Sequence, residues 1–132
     1  VHYHAYSWTG GTDEYRRYLP EGHIDHAGFR ASPAVPLKIC WWLRKPAAMI
    51  AASFTEPADA ADWAVEQYRR IADDITVPNL WTEEQHGPAI AHLAAGRDLA
   101  WSWHLTGPRR SFACIAVCSP NHWDPEAGCP LR

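Results

Sequence analysis

Long apolar runs are what this sequence most clearly lacks. No uninterrupted apolar stretch approaches the ~20 residues that a membrane-crossing helix needs, so no membrane association is expected. The first residues show no basic segment leading into an apolar one, the mark of a secretion signal, and a cytoplasmic location is the expectation. Lysine is scarce, two residues against ten arginines, a ratio that reads as the coding bias of a GC-rich genome. The familiar catalytic signatures are missing as well. There is no G-x-S-x-G, no H-E-x-x-H and no phosphate-cradling loop, since Gly10-Gly11 is not followed by Gly-Lys-Ser/Thr. The net charge of −3 excludes a protein dominated by contacts to phosphate backbones. Its basic residues fall in dispersed pairs (Arg16-Arg17, Arg44-Lys45, Arg69-Arg70, Arg109-Arg110) that read as solvated surface, so nucleic acid is not an expected partner.

What the chain does contain is aromatic and imidazole chemistry. Its 132 residues are 47% hydrophobic, with eight tryptophans, eight histidines and four cysteines. That is far too apolar for a disordered chain, and the length suits one domain, 1–132, with a core of its own. Protonating the eight histidines would reverse the sign of the net charge, so surface charge should respond to mild acidification.

The clearest pattern lies at Asp98–Cys118. Leu99, Trp101, Trp103 and Leu105 alternate with Ala100, Ser102 and His104, which predicts a strand with one heavy buried face. Gly107 and Pro108 mark a turn, and Ser111–Cys118 is apolar on both parities, as a central strand is. Pairing Leu105 with Ser111 sets Trp103 against Ala113, Trp101 against Ile115 and Leu99 against Val117, large against small. The N-terminal stretch VHYHAYSW reads as a strand ended by Thr9-Gly10-Gly11. Residues 9–36 form a long irregular connection holding one helical turn near Glu14–Leu19, and Leu37–Leu43 (LKICWWL) alternates like a strand. Ser53 or Thr55 as cap, Pro57 in the first turn, and Ala61, Ala64, Val65, Tyr68, Ile71, Ala72 and Ile75 at helical spacing predict a long helix. A shorter one follows from Pro88 to Gly96, and 119–132 is a surface tail. The sum is an α+β fold: a two-layer domain with a mostly antiparallel sheet of about four strands, carrying one long and one short helix on one face.

Metal-ligating types occur in two groups. His2-x-His4 on a strand projects two imidazoles to one side, and His23-x-x-His26 in the long loop offers two more; with a carboxylate these would make an open, catalytic metal site. The second group is Cys114, Cys118, His122 and Cys129. Cys114 and Cys118, four residues apart on a strand, are ~13 Å apart and cannot share an ion, which leaves Cys118, His122 and Cys129 needing a fourth ligand from elsewhere. A bridge between Cys118 and Cys129 is the competing use of those thiols. Among the aromatics, Trp81 and Trp123 have polar neighbours, while Trp42 and His104 fall on the sheet face away from the helices; these four are the candidate ligand contacts.

Surplus aromatics without a catalytic constellation favour a non-enzymatic binding or adaptor domain, with an unidentified protein or small molecule as partner and no required cofactor. A zinc- or iron-dependent enzyme built on His2, His4, His23 and His26 is the alternative, and a histidine-driven, pH-responsive interaction protein is a third.

Overall fold

The computed structural model describes residues 1–77 and 83–131; Trp81 lies outside them. Its elements, in order, are β1 (His2–Gly11), α1 (Thr12–Tyr18), β2 (Ala52–Phe54), α2 (Pro57–Ile71), α3 (His86–Ala94), β3 (Leu99–Leu105) and β4 (Arg109–Cys118). The four strands form one antiparallel sheet in the order β2-β1-β4-β3. The fold is α+β, as expected from the pattern of the chain.

The sheet is built around the pair β1–β4, in register from His2 opposite Cys118 to Gly11 opposite Arg109. Because side chains alternate along a strand, this register sorts both strands into two faces at once. Tyr3, Ala5, Ile115 and Val117 face the helices and pack with Ala60, Ala61 and Ala64 of α2 and with Ala89 and Leu93 of α3. The small alanines let α2 sit close to the sheet. Pro57 at its start, Asp59 in the first turn and Arg69 and Arg70 in the last suit its dipole. Its N-cap is Glu56, with no side-chain cap bond, rather than Ser53 or Thr55.

The other face carries Tyr6, Cys114, Ala116 and Cys118, covered by a 3-10 helix over Ile39–Arg44 and by Ala127 and Cys129 of the tail. Here the reading of Leu37–Leu43 as a strand is corrected. Period-2 alternation over so short a run does not separate strand from tight helix. Pro36 and Pro46 bracket the segment, and Cys40 and Leu43, three residues apart, turn the same side of the 3-10 helix inward. The fourth strand is instead the short β2.

The β3–β4 hairpin also differs in register. Leu105 pairs with Arg109, Trp103 with Ser111, Trp101 with Ala113 and Leu99 with Ile115, two residues from the expected alignment. The turn is shorter than expected, with Gly107 at φ 122, a conformation that side-chain-bearing residues rarely adopt. A slip of two preserves parity, so the indoles stay on the same face but now meet Ser111 and Ala113, while Ile115 falls opposite Leu99.

The long loop is pinned by a buried cation. Lys45, 2% exposed, donates from Nζ to the Phe29 carbonyl at 2.6 Å and the Ser32 carbonyl at 2.7 Å, over the Phe29 ring. Burial lowers its pKa from 10.5 to about 8. Between those values the unfolded chain holds a proton that the folded chain has released, so stability is expected to rise with pH across that window. The gain is roughly 1–3 kcal/mol. Urea denaturation of wild type and Lys45→Met at pH 8 and 10 checks this; a parallel response in both would refute it.

Candidate metal centre

Register and alternation bring three of four potential ligands together. His2 and His4, two apart on β1, project to the same face, and His2 lies directly opposite Cys118 on β4. Cys129 comes from the tail folded over that face. The ligand atoms of His2, His4, Cys118 and Cys129 all lie within 4.8 Å of one another, the single such group among the described residues. His4, Cys118 and Cys129 are buried and His2 is half-buried.

The distances decide what these groups are arranged for. Cys129 Sγ is 3.6 Å from His2 Nδ1 and 3.5 Å from His4 Nε2. In a tetrahedral zinc site, with Zn–S about 2.3 Å and Zn–N about 2.0–2.1 Å, the sulfur-to-nitrogen separation is about 3.6 Å. None of the four cysteines is disulfide-bonded, so Cys118 and Cys129 are thiols within the cluster rather than a bridge.

The surroundings favour ligation too. Ser53 Oγ lies 2.7 Å from His4 Nδ1 and holds the ring with Nε2 toward the Cys129 sulfur; a metal on Nε2 would set the ring proton on Nδ1, with Ser53 as its acceptor. Burial, then the neighbouring His2, lowers the pKa of His4 and keeps it neutral, while burial lifts the Cys118 thiol to about 11. A metal at this position displaces the thiol protons, so uptake is coupled to proton release. Tyr6 stacks on Trp42 at 4.7 Å between ring centroids. Its hydroxyl is buried without a hydrogen-bond partner among the described residues, and burial, then the neighbouring Cys118 and Cys129, raises its pKa. A metal thiolate is a strong acceptor for such an orphan hydroxyl. Tyr6→Phe is therefore expected to be neutral or stabilising by up to about 1 kcal/mol in metal-free protein and to weaken metal binding. Denaturation with and without zinc checks both halves.

The sequence candidates divide cleanly. The cluster takes His2 and His4 from one group and Cys118 and Cys129 from the other. His23 and His26 are exposed and use their Nδ1 atoms to accept the backbone N–H groups of Asp25 and Gly28. His122 is exposed and packs edge-on against Trp123. Of the proposed ligand contacts, Trp42 is 3% exposed and belongs to the core beneath the cluster, because the 3-10 helix turns it inward where a strand would have turned it out. His104 is exposed on β3, and its carbonyl accepts from Thr76. Trp123 is 72% exposed and borders a cavity of about 660 Å³ together with Trp41, Arg44 and Asp98. Sequence reading missed Ser53 as the partner of His4, Tyr6 beside the thiols, and Asp98; no local pattern marks any of them. No helix among the described residues is long and apolar enough to cross a membrane. Compared with protein-family models, with curated proteins and with solved structures, the chain returns no match.

Proposed function

We propose that this protein is a zinc-binding domain in which a Cys2His2 centre of His2, His4, Cys118 and Cys129 fastens the C-terminal tail to the sheet, and that the domain works by binding rather than by catalysis. The observation that carries the reading is the convergence of four N/S ligand atoms within 4.8 Å, with the Cys129 sulfur 3.6 Å and 3.5 Å from the two imidazole nitrogens. Four protein ligands fill a tetrahedron, and a closed site of this kind supports structure, whereas catalytic zinc keeps one position open for water or substrate. The mixed sulfur and imidazole set suits zinc.

Protein purified without chelator is expected to contain about one equivalent of zinc by elemental analysis. Cobalt substitution should give the visible ligand-field and sulfur-to-metal charge-transfer bands of a tetrahedral thiolate site. Iron at the same stoichiometry would overturn the choice of metal. No uptake of either metal, with Cys118 and Cys129 equally reactive before and after zinc addition, would overturn the site.

A further inference from the structure

The cavity beside the metal-anchored tail has the composition of a ligand site. Two of the exposed large hydrophobic side chains, Leu37 at 58% and Trp123 at 72%, stand on it, with Trp41 half-buried between. At about 660 Å³ it is the size that holds a small organic molecule. Its wall is braced: Arg44 grips Asp124 through two charge-assisted hydrogen bonds, Nε to Oδ2 at 2.9 Å and Nη2 to Oδ1 at 2.8 Å. That pairing satisfies the Asp124 carboxylate inside the protein.

Asp98 is different. Its Oδ1 accepts from the Val117 N–H at 2.8 Å and from Asn121 Nδ2 at 2.9 Å, whereas its buried Oδ2 has no partner among the described residues. A buried acceptor left unmade is costly; Asp98 lines the cavity, and its Oδ2 is sealed from solvent, so a ligand donor reaches it only as the wall gives on binding. Lys38, exposed at the cavity's edge, lies over the Trp41 ring at 5.3 Å and forms no ion pair among the described residues. The cavity thus offers indole faces, one unsatisfied carboxylate oxygen and one ammonium group.

We propose that this cavity binds a flat heteroaromatic anion, its ring against Trp41 and Trp123, a ring or exocyclic N–H directed at Asp98 Oδ2, and its acidic group at Lys38. None of its groups is a proposed metal ligand, and Trp123 and Asp124 are held by Asn121 and by the Arg44–Asp124 pair without a metal. A nucleoside monophosphate and an indole carboxylic acid both carry this chemistry, and the probes separate them: GMP, guanosine, ribose 5-phosphate and indole-3-acetate, each titrated into the full chain by calorimetry and by amide chemical shifts.

GMP binding with ribose 5-phosphate inert identifies a nucleotide site, and indole-3-acetate binding in its place identifies a smaller aromatic acid. Trp123→Ala, at an exposed position, should weaken the bound probe at least about tenfold. Lys38→Ala should reduce GMP to the affinity of guanosine and leave guanosine unchanged. Asp98→Asn keeps an oxygen for Val117 and Asn121 but puts an N–H donor where Oδ2 stood, and should abolish binding while the Trp123 and Lys38 variants remain folded. No shift at cavity residues with any probe at millimolar concentration, or affinities indifferent to Trp123→Ala and Lys38→Ala, would overturn the proposal. Failure of zinc loading would leave these outcomes readable.

Discussion

Cys129→Ser protein is expected to lose its zinc and to melt roughly 10–15 °C below the zinc-loaded wild type. With zinc about a thousandfold above its dissociation constant, binding to the folded state alone contributes about 4 kcal/mol. In a domain of this size, each kcal/mol moves the melting temperature by about 3–4 °C. The substitution removes one donor from the face where Cys118 and His4 are fully buried. His4→Ala should behave alike and, in addition, leave the Ser53 hydroxyl without its partner. Chelation of wild type should reproduce the loss, and zinc should rescue wild type but neither variant. Equal melting temperatures with and without chelator would remove the metal from the account of stability.

Asn121→Ala is expected to cost roughly 2–4 kcal/mol, because Asn121, 0% exposed, holds the start of the tail by four hydrogen bonds. Its Nδ2 donates to the Val117 carbonyl at 2.7 Å and to Asp98 Oδ1 at 2.9 Å. Its Oδ1 accepts from the backbone N–H groups of Trp123 at 2.9 Å and Asp124 at 3.0 Å. Alanine deletes all four. Asn121→Asp is the more telling variant, for it keeps the shape and sets a second carboxylate against Asp98. Asp98 is already raised in pKa by burial, which its hydrogen bonds to Val117 and Asn121 oppose. Two facing carboxylates should share a proton. The aspartate variant should therefore be less stable than the alanine variant at pH 7 and gain on it as the pH falls toward 5. Urea denaturation of both variants at the two pH values settles it; identical pH responses would show that the two side chains do not interact.

The strands with clean alternation were legible from the chain. Leu99, Trp101, Trp103 and Leu105 sit on the parity the pattern assigned, and a two-residue shift in pairing left that parity intact. The α2 helix and the α+β arrangement were legible for the same reason: period reports which face is buried. Leu37–Leu43 was not, since Trp42 and Leu43 take their burial from a sheet that the segment does not join.

The metal cluster was legible only in halves. His2-x-His4 and Cys118…Cys129 each stood out as a pair, yet nothing local says that β1 pairs with β4, and that pairing is what sets His2 opposite Cys118. His23, His26 and His122 matched the residue types equally well and were set apart only by tertiary position. Trp123 was recognised by its polar neighbours. Trp41 was not, because the choice between adjacent indoles depended on a segment taken for a strand.

The pairing of β1 with β4 also fixes a timetable. During synthesis the imidazoles of β1 are made more than a hundred residues before the thiols that complete their cluster, and only the three-residue edge of β2 is on hand to pair with β1 meanwhile. Closing that span costs loop entropy that the early segments cannot recover from one another. The growing chain therefore has no assembled ligand set until Cys129 has been made, and on the proposed metal reading the ion would arrive as the last component of a sheet whose first strand waited for its final one.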